Sequence, residues 1–572
     1  MLETIQLLIK KDTDLPLRAW RIGMLEEFRT SKVYDRIKIP FHTEKEGDGT
    51  YVPIRKRRPS VRYGLPMIIV NDSTSLLFSE SHFPAIQLKE RTALRTLKLS
   101  GEASDVETKA DDDNKSKGRK RPAKKKASAA LQEKNEDIAT LINNLIKEAR
   151  LRAIMLDAAT RGSVGSVAIH FRLLKSRVFF KVLSTQYLTP SYDPEEPDKL
   201  VSVVERYKIK GAQVAAMGYS VKKDDLSADY WFQRSWTKTQ ELWFVPWKVS
   251  DTPPQVPPTN YVPKGTVSQS PVAMDTPVLE GGADARRSVN HGLGFVPVEW
   301  IRNLPGGDET DGAATFEPAL ENSVEMDYQL SQSGRGLKYM SDPTLVISEP
   351  PITPMGNSSE PMIKSAANAL RVPEGASAHL LEISGAGAAA VENYVRTVRE
   401  FSLELCGGNR SSADKLSAAQ SGRAMELMNQ GLIWLADKMR TSYGEVGLIN
   451  LIRMVVRANE SFPLNILGQT VPKGFFGAAD SIEITLKWPP WYAPTLQDHM
   501  NQASAIRTYR QADVLSQDTA VRQIAHDFDI EDPEDEIEQI RSEKDDAMKR
   551  QVEMEKQTRP FEYKPSGQKP EA

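Results

Sequence analysis

The sequence predicts an α+β chain, and three observations lead to that class. Strand-like apolar runs cluster between residues 160 and 300, amphipathic helical segments dominate after residue 316, and Pro- and Gly-rich turn signals separate them. At 572 residues the chain is too long for one compact core, so two or more domains are expected. The apolar fraction of 40% is sufficient to build those cores.

Charge and cysteine content narrow the class of protein. The 75 basic and 77 acidic residues argue against a protein that mainly grips nucleic acid, because such proteins carry a basic excess. This near-equal balance of charge is compatible with a protein that encloses DNA without binding it tightly. The single cysteine, Cys406, excludes an intramolecular disulfide and a Cys-based zinc site, and its thiol is expected to be buried and inert. With no signal-peptide pattern or membrane-length apolar run, we expect a soluble protein from a reducing compartment.

Two segments interrupt the first 315 residues. Segment 101–130 has almost no large apolar side chain, and eight basic residues lie between positions 115 and 126. This tract has the composition of a nucleic-acid contact or nuclear import signal, but a solvated, disordered insertion is the simpler interpretation. Segment 250–293, rich in Pro, Gly and Ser, is predicted to be an excursion from the β-rich region.

Two helical segments of similar length follow the β-rich region. Leu320, Val324 and Tyr328 recur at four-residue steps in the first. In the second, five apolar residues share one face: Val391, Tyr394, Val398, Phe401 and Leu405. Each helix has about 20 residues and is therefore ~30 Å long, and two strand-like runs, PTLVI and AHLLEI, lie between them. We predict a two-helix stalk with a small β tip, whose narrow apolar stripes need neighbours, most simply copies of the same chain.

The remaining third is predicted to be mostly helical. A small polar loop, GGNRSSADKLSAAQS, precedes the longest helical stretch, 423–459, where Gly444 and Gly447 predict a kink or break. A strand, SIEITLKWPPW, follows, then a polar helix from Thr495 to about Arg510 and a charged helical tail.

No motif in the sequence predicts an enzyme. SGAGAAA, residues 384–390, fits G-x-G-x-x-A, but the parallel strand that a dinucleotide site requires is not predicted there. GGNRSSADK contains no phosphate-loop pattern and follows a helix rather than a strand. The seven histidines have no metal-ligand spacing, and the acidic run 532–538 is typical of a solvated helix start. We therefore expect no catalytic residue, no metal and no cofactor.

The order of elements resembles that of portal proteins, the head-to-tail connectors of tailed double-stranded DNA phages. GLGFVPVEWIRN leading into FEPALENSVEMDYQLSQSG is similar to that family's entry into its first stem helix. AAQSGRAMELMNQGLIWLADKMR resembles the start of the family's long helix, and FFKVLSTQYLTPSYD followed by LVSVVERYKI resembles its wing strands. The likeness covers about residues 135–545 and depends on element order, without one diagnostic signature.

The resemblance implies a portal fold with a β-rich wing, a two-helix stem, a small α/β clip, a long kinked helix and a helical crown. The corresponding segments would be 1–315 for the wing, 316–340 for the first stem helix, 341–384 for the clip, 385–406 for the second stem helix, 407–421 for the tunnel loop, 422–494 for the long helix and wing return strand, and 495–572 for the crown and C-terminal tail. Segments 101–130 and 250–293 depart from the family pattern.

The resemblance also implies three sets of site residues. The DNA-facing tunnel loop would contain Gly407, Gly408, Asn409, Arg410, Ser411, Ser412, Asp414 and Lys415. Candidates for the channel surface of the stem are Glu321, Glu325, Asp327, Arg396 and Arg399. The clip docking surface would include Pro350, Pro351, Met355, Asn357 and Glu360. Small, mostly uncharged loop residues suit a moving duplex, since each neutralised phosphate adds affinity that opposes sliding.

A portal protein is expected to form a ring, usually of twelve copies, at one capsid vertex of the virion after assembly in the host cytoplasm. Its partners would be the terminase large subunit, major capsid and scaffolding proteins, head-tail adaptor or neck proteins and DNA in transit, with no membrane. The ring would nucleate head assembly, dock the terminase motor, pass double-stranded DNA during packaging and ejection, and connect head to tail.

Two alternative functions stay open. One is a nucleotide-binding enzyme that uses residues 384–390, and the other is a nucleic-acid-binding protein that acts through the basic tract 115–126.

Overall fold

The computed structural model describes twelve segments of the chain: 17–79, 82–90, 138–249, 282–308, 310–341, 344–348, 377–381, 386–407, 422–492, 496–512, 514–525 and 533–558. Both helices and sheets are present, so the α+β class is confirmed. The chain divides into two compact units, one made of Met1–Ser411 with Asn429–Trp491 and the other of Ser412–Met428 with Tyr492–Ala572.

The first part of the larger unit is helical rather than β-rich. Its helices are α1 (Leu17–Arg29), α2 (Leu65–Phe78), α3 (138–148) and α4 (Leu151–Gly162). Pro66 occupies the first turn of α2, where its missing N–H costs nothing. Ile138, Ile142 and Leu145 are buried on α3, as their helical spacing predicts.

The predicted antiparallel β-rich region is present between residues 166 and 302. Its strands are β2 (Ser166–Leu174), β3 (Arg177–Ser184), β4 (Leu188–Tyr192), β5 (Leu200–Lys210), β6 (Asp229–Thr237), β7 (Gln240–Trp243), β8 (Trp247–Lys248), β9 (Val289–Asn290) and β10 (Val298–Arg302), with a short helix, α5 (Gly211–Ala216), after β5. One sheet has the order β10-β2-β3 and the other the order β4-β5-β6-β7-β9, with β8 paired to β6.

Strand β2 is apolar on both faces because both are covered. Val167, Ile169 and Phe171 enter the main core, whereas Ala168 enters a second cluster with Trp236 of β6. This double burial explains why SVAIHF has no polar–apolar alternation.

The predicted stalk and tip follow the β region. Helix α6 (Leu320–Ser341) leads to the antiparallel pair β11 (Thr344–Ser348) and β12 (Ser377–Leu381), and α7 (Ala386–Leu405) returns beside α6. The two helices are antiparallel, since Leu320 at the start of α6 and Leu403 and Cys406 at the end of α7 share one buried cluster.

The predicted long helix is divided into four parts. Helix α8 (Gly422–Met428) ends before Asn429, whose ψ of 20° leaves the helical range, and α9 (Gln430–Met439) begins after it. A nine-residue π-helix (Arg440–Leu448) joins α9 to α10 (Ile449–Ser461) at the position where a kink is predicted. The Arg440 guanidinium lies over the rings of Trp488 and Trp491, at 4.5 Å and 3.2 Å from their centroids.

Short strands complete the larger unit, and helices form the smaller one. The hairpin β13 (Leu464–Ile466) and β14 (Gln469–Val471) follows α10, and β15 (Ile482–Lys487) pairs antiparallel with β1 (Ala85–Glu90). The smaller unit contains α8, α11 (Leu496–Gln511), α12 (Gln517–Ile524) and α13 (Pro533–Thr558). Arg541 of α13 forms an ion pair with Asp518 of α12.

Candidate functional site

The base of the stalk is fixed by residues far away in the sequence. The hydroxyl of Tyr34 donates to Asp327 Oδ2 at 2.8 Å, and the backbone N–H of Tyr63 donates to Asp327 Oδ1 at 2.7 Å. The backbone N–H of Val61 donates to Ser331 Oγ at 3.0 Å, one turn further along α6. These bonds and the packing of Phe41, Leu65 and Ile69 against the same helix bury its first half.

Asp327 is therefore not a channel residue, contrary to the prediction. Its side chain is buried, and burial raises the pKa of its carboxyl to about 6, with the Tyr63 and Tyr34 hydrogen bonds opposing the rise. The sequence predicted a narrow apolar stripe on α6 and solvent around Asp327. The buried face is wider, because the N-terminal segment offers hydrogen-bond donors to polar residues on it.

The other stem candidates remain at the surface to different degrees. Glu321 is exposed, and Glu325 is half-buried and accepts a hydrogen bond of 2.7 Å from Gln329 Nε2. Arg396 is exposed and pairs with Glu392 at 3.3 Å within α7. Arg399 lies nearer the helix pair, and its Nε is buried without a hydrogen-bond partner among the described residues. These four side chains are therefore available or partly available to a neighbouring surface.

The apolar stripe of α7 is mostly exposed. Tyr394, Phe401 and Leu405 are 47%, 56% and 61% exposed. The buried face of α7 instead carries Leu403 and Cys406, about 160° and 100° around the helix from the stripe's centre at 100° per residue. A stripe of three large apolar side chains thus runs along the stalk without a covering element in the described part of the chain.

Cys406 ends the second stalk helix as a buried, unreactive thiol, as the sequence predicts. It is 6% exposed, and burial raises its pKa to about 11, so the thiolate is scarce at neutral pH. Gly407 follows with a positive φ of 67°, and its N–H donates to Glu404 O at 3.1 Å, which closes the helix.

The rest of the tunnel-loop set, Gly408 to Lys415, lies outside the described residues. So do the clip docking residues Pro350, Pro351, Met355, Asn357 and Glu360, the basic tract 115–126, and Ser384 of the Gly-rich turn. The strand before that turn, β12, pairs antiparallel with β11, whereas the dinucleotide hypothesis expected a parallel sheet there.

The described segments have neither a metal-binding cluster nor a membrane-spanning helix. They contain no group of three or more His, Cys, Asp or Glu side chains arranged to hold a metal ion. Among the helices described, none is both long enough and apolar enough to cross a membrane.

No protein-family model matches the chain, and no curated protein matches its sequence. Inference about function thus depends on the structure itself, namely on the helix pair α6–α7, the β11–β12 strands and the exposed apolar stripe on α7.

Proposed function

We propose that this chain is a portal protein: a ring-forming channel at one capsid vertex that passes double-stranded DNA. The ring would nucleate head assembly, dock the terminase motor during packaging and connect the head to tail components afterwards. In this function the chain carries no catalytic site, and its work is to assemble, to enclose the duplex and to present docking surfaces.

The observation that carries the proposal is the antiparallel helix pair with an exposed apolar stripe. Helices α6 and α7 pack against each other and share a buried cluster at one end of the pair. Strands β11 and β12 lie between them in the sequence and pair at the other end. Fully burying one large apolar side chain stabilises an assembly by about 1.5–3 kcal/mol. Tyr394, Phe401 and Leu405, all exposed in the single chain, are positioned to gain that energy against a neighbouring copy.

The channel surface in this proposal combines the tunnel loop with exposed stem residues. Gly407 to Lys415 would line the narrowest part, where small side chains let the phosphate backbone pass. Exposed Glu321 would repel phosphate and so reduce retention of the duplex. The clip, between β11 and β12, would dock the motor and later the neck proteins.

The test is the mass and shape of the purified protein, by native mass spectrometry with electron microscopy of the same sample. The wild-type protein is expected to form closed rings with a central hole, usually of twelve copies. The Phe401→Asp variant is expected to be a folded monomer, because a carboxylate would be buried in the interface without a partner.

Asn393→Asp is the matched control, since it adds the same charge to an exposed position of the same helix, about 120° around from the stripe's centre. It should form rings as the wild type does. A wild-type protein that stays monomeric at high concentration would refute the ring. Rings that form equally well with Phe401→Asp would show that the α7 stripe is not their interface.

A further inference from the structure

A groove lies between the β10-β2-β3 sheet and the β9 edge of the larger sheet. Its volume is about 380 Å³, and its lining combines the end of β2, the short strand β9 and a side chain that follows α10. Its lining includes Leu173, Leu174, Val289, Asn290, Pro297 and Phe462. Leu174 and Val289 are 48% and 56% exposed, so the groove presents apolar surface to solvent.

One wall of the groove is an open strand edge on β2. The N–H of Phe171 donates to Pro297 O at 2.8 Å, so the backbone groups of Phe171 point towards β10. Strand alternation directs the N–H and C=O of Leu173 to the same side. The hydrogen-bond ladder between β2 and β10 does not reach Leu173, because Pro297 has no N–H and β10 begins only at Val298. No strand in the described part of the chain pairs with Leu173 on that side.

The opposite wall is an open edge on β9. The N–H of His291 donates to Thr239 O at 3.1 Å, towards β7, so the backbone groups of Asn290 point away from β7. Strand β9 is the last in its sheet among the described strands, which leaves this side of Asn290 unpaired. Gly292 and Gly294, with φ of 63° and 80°, lie in the segment that connects β9 to β10.

The charges at the groove favour an acidic ligand. Arg172 and Lys175 are exposed at its rim, and neither forms an ion pair with another described residue. Glu241, the acidic residue of the lining, lies 3.6 Å from Arg234 Nη1 and accepts a hydrogen bond from Trp243 Nε1. His170 and His291 are neutral, because burial lowers the pKa of both, that of His170 to about 3.

We propose that this groove binds an extended segment of another protein in which acidic and apolar residues alternate. The segment's backbone bonds to the free groups of Leu173 and Asn290, its apolar side chains contact Leu173 and Phe462 on the face of β2 that packs against the main core, and its carboxylates face Arg172 on the opposite face and Lys175 after the strand end. Alternation is required because successive side chains of a strand point to opposite faces. This inference does not depend on the proposed function.

The experiment titrates the full-length protein with a short capped peptide in which valine alternates with glutamate. Saturable binding is expected by calorimetry, with slowed amide hydrogen exchange at Leu173 and Asn290. The double variant Arg172→Glu, Lys175→Glu is expected to weaken binding by about tenfold or more. Asn290→Pro is expected to do the same, since proline removes the outward N–H and is tolerated on an edge strand.

The control pair is Lys222→Glu with Lys223→Glu, an equal charge change at exposed lysines outside the groove, and it should leave binding unchanged. The proposal is overturned if the peptide does not saturate, if a valine–lysine peptide binds equally well, or if the control variant loses as much affinity as the groove variant. Self-association of the chain that Asn290→Pro abolishes would also overturn it, because the occupant would then be a second copy.

Discussion

At the residue scale, Glu299 links the β-sheet to the helix after the π-helical segment. Its side chain points from β10 towards α10, where Asn450 Nδ2 donates to its Oε1 at 2.9 Å and Arg453 Nη1 donates to Asn450 Oδ1 at 2.8 Å. Burial raises the pKa of Glu299 to about 8, and the Asn450 bond only partly opposes the rise. The folded chain therefore holds this carboxyl protonated at neutral pH.

The raised pKa predicts a loss of stability with rising pH. Between about pH 5 and pH 8 the folded state keeps a proton that the unfolded state has released, so the free energy of unfolding falls across this window. Glu299→Gln should remove that contribution, because glutamine keeps the acceptor for Asn450 and carries no charge. Chemical denaturation at several pH values measures the difference. Glu321→Gln, at an exposed position, should retain the wild-type slope, and an unchanged slope in Glu299→Gln would contradict the argument.

Asp327 shows what residue patterns could not predict. The periodicity of Leu320, Val324 and Tyr328 predicted the helix and three of its buried residues. The burial of Asp327 depends on Tyr34 and Tyr63, more than 260 positions earlier in the chain, and no local pattern records that pairing.

At the scale of elements, two glycines of the π-helix serve close packing. A Cβ on Gly444 would overlap the Trp488 ring, and one on Gly447 would lie 2.5 Å from Ile301 Cδ1. The sequence predicted a kink or break here from glycine's low helix propensity. From Gln430 to Ser461 the helix instead continues through the π-helical segment, and the glycines leave space for side chains from β10 and from the segment after β15.

Gly447→Ala is therefore expected to destabilise the chain by about 1–3 kcal/mol through overpacking, although alanine favours helix by ~1 kcal/mol. Gly334→Ala in α6 is the matched control, because nothing lies within 4 Å of the added Cβ. It should be neutral or stabilising by up to ~1 kcal/mol. Denaturant midpoints measure both, and a neutral Gly447→Ala would mean that Ile301 repacks freely.

For helix α7, the sequence predicted an apolar face but not which face packs inside the chain. Its apolar face was identified from spacing, but the residues buried inside the chain, Leu403 and Cys406, lie about 160° and 100° around the helix from that face. Spacing reveals that a helix has an apolar side and cannot reveal whether that side meets the same chain or another. The strands of the β-rich region were more predictable, because their turn signals are local.

At the scale of the whole molecule, the near-zero net charge suits a channel that encloses DNA better than a protein that grips it. The strongest basic feature is the tract 115–126, which carries eight basic residues and no acidic one. Removing it would change the net charge from −2 to −10 and would delete no described element of the fold.

Deletion of 115–126 therefore distinguishes a portal ring that encloses DNA from a protein that binds nucleic acid through the basic tract. A portal ring assembles through packed helices, so the deletion variant is expected to form rings of wild-type mass and shape. A protein acting through the basic tract would lose its salt-dependent DNA affinity and its function together. Native mass spectrometry and a DNA titration at two salt concentrations measure both properties. A variant with the eight basic residues replaced by serine controls for segment length, and loss of rings in either variant would contradict assembly through the stalk alone.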